Sequence, residues 1–330
     1  MAVSIADIQK LRKMTGAGLS DCKKALTDAE GDFEKAVEVI REKGQAIAAK
    51  RSDRETSNGC VLVKYADNFG AIVALKCETD FVANGADYIK LTQDILDAAV
   101  AAKAKSLDEV KELTLADGTK VQDAVIARSG ITGEKMELDG YNFIEGENVS
   151  TYDHMGKHTL CTMVQTNKSA EEQAHAIAMQ VAAMKPLFLD EASVSQEFID
   201  EEKKVAAEKT KQELVQKAVE AALKKAGINP AHVDSEEHME SNMGKGWITA
   251  EDVAKAKEII ATVSAEKAAN LPAPMIENIV KGRINRIFKE NCLLNQEFIQ
   301  DSKLSVSDYL KAADKDLTVV DFKRFSLSAD

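Results

Sequence analysis

Cys77-Glu78-Thr79-Asp80-Phe81 places a thiol, two carboxylates, a hydroxyl and an aromatic ring at five consecutive positions. A cysteine close to a helix start is a candidate nucleophile, because the positive helix end favours the thiolate. Here the thiol closes an apolar strand, where free cysteine is ordinarily buried and inert. Thr79 or Asp80 suits the cap of the helix that follows, and on residue type alone Phe81 belongs in the core. Position sets the segment apart. At a strand-to-helix junction an acid and an aromatic can project together toward a partner.

Other reactive groups form no site. The five histidines (His154, His158, His175, His232 and His238) are dispersed. His154 and His158 flank Gly156 in what reads as a turn between strands, without the third ligand a metal needs. Cys22, Cys60, Cys77, Cys161 and Cys292 are odd in number and never spaced C-x-x-C. A disulfide framework or zinc site is therefore not expected, and a reducing cytosol is the natural home. Gly244-Lys245-Gly246 lacks the upstream glycine and the hydroxyl of a phosphate loop and reads as a turn. No zinc-protease helix, calcium loop, nucleophile elbow or dinucleotide glycine set occurs. No cofactor, no metal and no catalytic residue are expected.

The elements that position these groups follow from length and pattern. A chain of 330 residues implies two or three units, and 45% hydrophobic with 30% charged residues is enough for an ordinary core. Only 5% aromatic residues and four prolines favour helix-rich structure over sandwiches or propellers. A net charge of −12 argues against direct nucleic-acid binding, which needs surplus Lys and Arg. No run of eighteen apolar residues and no signal-peptide core is present, so a soluble cytoplasmic protein without membrane contact is expected.

Residues 1–45 read as three short helices. Ser4 and Asp7 form a capping box, Gly16-Ala17-Gly18 makes a turn, and Gly31 and Gly44 end the second and third helices. So small a core suits a docking module. Residues 46–58 are charged and read as a linker. At Gly59 the period changes to alternation: Val61, Val63 and Tyr65, turn residues at Asp67-Asn68-Phe69-Gly70, then the apolar run Ala71–Leu75. A helix from Val82 to about Ala104 follows, completing a first α+β subdomain over 59–130. Strands from Lys135 to Ile144, Val149 to Tyr152 and Thr159 to Val164, then a helix from Ala170 to Met184, repeat that plan as a second subdomain over 131–194. Residues 195–265 read as a helical hairpin with a narrow stripe at Val215, Val219 and Ala222; Glu213–Lys217 and Glu220–Lys224 pair along it, and Thr249 and Asp252 cap its returning helix. Residues 266–330 return to the second subdomain, ending in a strand from Leu317 to Leu327.

Leu11-Arg12-Lys13-Met14-Thr15-Gly16-Ala17-Gly18-Leu19, continuing through Asp21-Cys22-Lys23-Lys24-Ala25-Leu26, strongly resembles the N-terminal signature of the bacterial elongation factor Ts family. Cys77-Glu78-Thr79-Asp80-Phe81-Val82-Ala83 resembles its second signature, at the expected distance. Ile177 to Pro186 looks like the helix of the family's second subdomain. Ile279-Val280-Lys281-Gly282-Arg283, with Leu293 to Phe298, is similar to the helix and turn after its coiled coil. Ala74 and Lys76 depart from the family pattern, Asn229 to Trp247 reads as an insertion in the hairpin, and a C-terminal helix of some relatives is expected to be missing.

The resemblance implies an α+β fold with a ubiquitin-associated-like N-terminal module, two related subdomains carrying small antiparallel sheets, and an inserted coiled-coil hairpin. It implies a guanine-nucleotide exchange factor, not an enzyme, whose partner is the GTPase elongation factor Tu. Thr79, Asp80, Phe81 and Val82 correspond to the segment that pushes between GTPase helices and dislodges magnesium. Leu11, Arg12, Thr15, Gly16, Gly18 and Leu19 would belong to the docking module's contact, and the turn at His154 and Gly156 would grip the GTPase's third domain. Two alternatives stand beside this. One is a helical adaptor that binds a protein without exchange; the other is a thiol enzyme using Cys77.

Overall fold

The computed structural model describes residues 3–15 and 17–328. Gly16 lies outside them. The chain divides into two units, Met1–Leu189 with Leu293–Asp330, and Asp190–Cys292.

In the larger unit, α1 (Ile5–Thr15), α2 (Leu19–Asp28) and α3 (Phe33–Lys50) form the N-terminal module. The capping box is present: Ser4 Oγ accepts from the Asp7 amide at 3.1 Å and donates to the Asp7 carboxylate at 2.5 Å. Leu11, Cys22, Ala25, Leu26, Ala36 and Ile40 make its core. Gly44 does not end α3, which continues to Lys50 into the stretch expected to be linker. The glycine serves a close helix crossing instead, since a Cβ there would stand 2.6 Å from the Ile126 carbonyl oxygen.

Then come β1 (Asn58–Ala66), β2 (Phe69–Cys77), α4 (Asp80–Ala83), α5 (Ala86–Ala102), α6 (Leu107–Glu112), α7 (Val121–Thr132) and β3 (Met136–Glu145). β1 and β2 are the hairpin read from the alternation, with Asp67 and Asn68 at φ +51° and +60° in its turn. The helix expected from Val82 to Ala104 is two helices, because Gly85 breaks it and caps the second. β3 pairs antiparallel with β2, from Met136 opposite Cys77 to Glu145 opposite Phe69. It therefore completes the first sheet, in the order β1-β2-β3, and does not open the second subdomain as expected. Alternation marks a strand but leaves its neighbour undetermined, and β3 returns across a long helical connection.

The second sheet contains β4 (Val149–Asp153) and β5 (Leu160–Thr166), followed by α8 (Glu171–Met184). Its third strand arrives from the far end of the chain. After the smaller unit come β6 (Glu297–Phe298), β7 (Asp301–Ser305), α13 (Val306–Ala313) and β8 (Val319–Ser326), and β8 pairs with β5 to give the order β4-β5-β8. The chain-closing strand was expected to return here.

Both faces of β2 are covered. Ala71, Val73, Leu75 and Cys77 face α5 with Tyr88, Ile95 and Leu96, whereas Ile72 and Ala74 meet Cys161 and Met163 of the second sheet. Burial on both faces explains the continuous apolar run. Gly140 of β3 lets the sheets approach, since a Cβ there would lie 2.4 Å from the Phe325 ring and 2.5 Å from the Ala74 Cβ. The far face of the second sheet packs Val164 and Val319 against Ile177 and Val181 of α8, with Val306 and Leu310 of α13.

The smaller unit holds α9 (Gln196–Lys225), α10 (Glu236–Gly244), α11 (Ala250–Ala269) and α12 (Ala273–Asn291). α9 packs against both α11 and α12, so residues 273–291, expected to return to the second subdomain, stay with the hairpin. Glu213 takes Arg283 of α12 at 2.7 Å, across helices and not along α9 to Lys217 as expected. Thr249 and Asp252 form the expected cap of α11.

The apparent insertion is a folded tip. Leu223, Ile228, Val233, Met239, Ile248 and Ala256 form its own core. Trp247, the chain's sole tryptophan, lies exposed against His232 and under Lys245 Nζ at 5.0 Å. Met239→Ala is expected to cost the tip about 2–5 kcal/mol. Thermal unfolding followed by Trp247 fluorescence should then begin below the wild-type transition, and an unchanged transition would show that the tip core carries no stability.

Candidate functional site

Phe81 is not core. It is 88% exposed, the most exposed large apolar side chain among the described residues. The ring stands on α4, a single turn whose start is fixed from several sides. Thr79 caps it, its Oγ1 accepting from the Val82 amide at 3.4 Å. The same hydroxyl donates to Glu134 Oε1 at 2.6 Å while the Thr79 amide donates to Oε2 at 3.1 Å, so one carboxylate grips the cap twice. Asn84 Nδ2 donates to the Asp80 carbonyl at 2.8 Å and closes the turn from its other end. Ala83 is buried beneath, Val82 is half-buried, and the Asp80 side chain is exposed beside Phe81.

One residue earlier, Glu78 ties this turn to the rest of the unit. Arg51 donates to both its oxygens at 2.7 and 2.8 Å, and the Lys135 amide donates at 2.7 Å. Asn58 Nδ2 donates to its carbonyl at 2.9 Å. Burial acts to raise the Glu78 carboxyl, yet the Lys135 amide and the Arg51 guanidinium hold it below the usual carboxylate value. A depressed pKa means stability that is complete above the ordinary value of 4.5 and lost as pH falls through the lower folded value. Glu78→Gln should remove this contribution. Acid melting curves of wild type and variant are expected to converge below that range and separate above it, and curves that stay parallel at all pH would contradict the clamp.

Cys77 lies fully buried behind the turn, its thiol donating to the Thr79 carbonyl at 3.2 Å. Burial pushes this thiol up, away from the thiolate a nucleophile needs.

The second expected contact is also built as a projection. His154, Met155 and Gly156 form one tight turn between β4 and β5, all exposed, with Met155 68% exposed at φ +57°. A methionine is seldom held in left-handed backbone, and such strain clusters at functional sites. Asp153 supports the turn, accepting from the His158 amide at 3.2 Å with its other oxygen 2.5 Å from His158 Nδ1, while Tyr152 meets His154 Nδ1 at 3.1 Å. Asp80 of the α4 turn and His158, which follows the His154–Gly156 turn, line one cleft of about 240 Å³.

The N-terminal residues separate into two groups. Leu11 is fully buried in the module core, so its side chain is not available to a partner, contrary to expectation. Thr15 is spent locally, donating to the Leu11 carbonyl at 2.8 Å and accepting from the Ala17 amide. Arg12, Gly18 and Leu19 are exposed, Leu19 at 52%, and exposed Met14 joins them. Isolated methionines such as Met14 and Met155 give no pattern in the sequence that marks a contact. Glu134 and Arg51 had no signal either: each acts from 55 or 27 residues away.

Fold and site define an α+β protein on two three-stranded antiparallel sheets that holds an exposed aromatic out on a clamped turn. Comparison with known proteins gives the particular group. The family model described as elongation factor TS matches residues 78–229 and 216–329. Proteins named elongation factor Ts from Bacteroides fragilis and Bacteroides thetaiotaomicron are 68% and 66% identical, and one from Porphyromonas gingivalis is 44% identical, each over the full length of both chains. The chain belongs to the elongation factor Ts family. It is a guanine-nucleotide exchange factor for elongation factor Tu, and the adaptor alternative is set aside.

Proposed function

We propose that the chain releases GDP from elongation factor Tu by driving Phe81, with Thr79, Asp80 and Val82, between helices of the GTPase and dislodging its magnesium ion. The observation that carries this is Phe81 itself: a large apolar ring costs stability when left in water, and this one is exposed on a turn fixed by Glu134, Arg51 and Asn84. GDP is held through backbone amides around its phosphates and through Mg²⁺ bridging phosphate and protein. A ring that shifts the neighbouring helices breaks the metal's ordered ligand shell and loosens that cradle. The pre-set turn means little ordering is required of the factor on binding.

Exchange of this kind needs no covalent step and no cofactor, and the protein is read as a binding factor and not an enzyme. Buried Cys77 supports that reading against the thiol alternative. Its binding energy is spent on the metal-free, nucleotide-free GTPase, and linkage makes the coupling reciprocal: nucleotide rebinding expels the factor by the same free energy. Arg12, Met14, Gly18 and Leu19 of the module dock on the nucleotide domain, and the His154–Gly156 turn, led by Met155, grips the third domain. The net charge of −12 supports a protein partner without direct nucleic-acid contact, and among the described residues no helix is long and apolar enough to cross a membrane. The cytoplasm, where translation runs, is the expected location. Release of a fluorescent GDP from elongation factor Tu tests the reading: wild type should accelerate it, and binding without acceleration would refute it.

A further inference from the structure

Helix α3 serves two bodies. Ala36 and Ile40 in its first half close the module core, and its second half lies along α7. The crossing is glycine on glycine. A Cβ on Gly44 would stand 2.6 Å from the Ile126 carbonyl oxygen, and one on Gly130 would stand 2.8 Å from the Gly44 Cα. Both lie inside regular helices without positive φ, so close approach and not turn geometry is what excludes a side chain. Arg41 Nε meets Asp123 of α7 at 3.3 Å, and Ile131 of α7 packs on the module core. Both helices then deliver a residue to the Phe81 turn. Arg51, just past α3, holds Glu78, and Glu134, just past α7, holds Thr79.

We propose that α3 and α7, locked at Gly44 and Gly130, are a rigid brace fixing the module's docking face to the Phe81 turn, so that both engage the GTPase as one body. This rests on the reading of Phe81 as a wedge and of the module as a dock. A wedge on a loose tether must search for its slot after the module docks; a braced one is presented at high effective concentration. Module contacts then set the affinity of first docking, and the brace sets how readily the docked factor inserts Phe81. Gly44 and Gly130 are positioning residues.

The test uses the full chain carrying spin labels at Lys24→Cys on α2 and Asp108→Cys on α6, both exposed, with the native cysteines buried. The free wild-type protein should give one narrow distance distribution, and Gly44→Ala or Gly130→Ala should shift or broaden it. With elongation factor Tu loaded with fluorescent GDP, the release rate at saturating factor should fall about tenfold in either variant, while the half-saturating concentration changes much less. Because alanine ordinarily favours a helix over glycine, a lowered melting temperature would itself locate the damage at the crossing. Arg51→Gln leaves the crossing intact and loosens the far end, so it should slow saturated release in the same way. A broad wild-type distribution, or unchanged saturated release in all three variants, overturns the brace. The spin-label distance is read without any partner, so failure of the wedge, seen in Phe81→Ala, is distinguishable from failure of the brace.

Discussion

Phe81→Ala is expected to leave the melting temperature almost unchanged while nucleotide release slows steeply. A core phenylalanine cut to alanine costs on the order of 3–5 kcal/mol. Phe81 is 88% exposed, so the change belongs with surface substitutions, which stay within about 0.5 kcal/mol. The ring's energy appears only when it is buried in the partner, where losing an anchoring aromatic typically costs about 2 kcal/mol or more, some thirtyfold in rate if it acts only on the metal-displaced state. Asp80→Ala should act in the same direction and more weakly. Differential scanning calorimetry alongside release of fluorescent GDP checks both halves. A Phe81→Ala protein that melts early yet exchanges at the wild-type rate would return the residue to a structural role.

Removal of residues 1–50 should weaken affinity for the GTPase by about a hundredfold, as expected when one of two linked contacts is lost, while the remainder still melts cooperatively. The module's core is separate from the cluster beneath the first sheet, which draws on residues from Cys60 to Leu138. Arg51 survives the cut but loses the helix that presents it, so the Glu78 clamp is weakened, while the Lys135 amide and Asn58 still hold that residue. What is exposed is the α7 surface around Gly130 and Ile131, and a modest drop in melting temperature should follow. Calorimetry and a binding titration separate the effects. Loss of the cooperative transition would mean that the module is part of the core's fold and not a dock.

Local rules were legible in the residues. The Ser4–Asp7 and Thr249–Asp252 caps, the hairpin turned at Asp67-Asn68 and the start of α4 after Thr79 each depend on neighbours a few positions apart. Where a residue's role depends on a distant partner, the local sequence does not carry it. Gly44 looked like a helix stop because its reason, the backbone of α7, lies more than eighty residues on. β3 had the right alternation, yet its register against β2 is set by burial on both faces of that strand. Phe81 belonged in the core by residue type, and its place at a strand-to-helix junction, with the family resemblance, argued otherwise. The aromatic that breaks the burial rule is the one the function uses.

Magnesium dependence tests the central claim most directly. Release of fluorescent GDP from elongation factor Tu should be timed at saturating factor, with the metal in excess and with the metal chelated. If the factor works by dislodging magnesium, it accelerates release strongly in excess metal. Chelation should then speed release from the GTPase alone and shrink the factor's remaining advantage. An acceleration of the same size with and without the metal would contradict displacement of magnesium by the Phe81 turn.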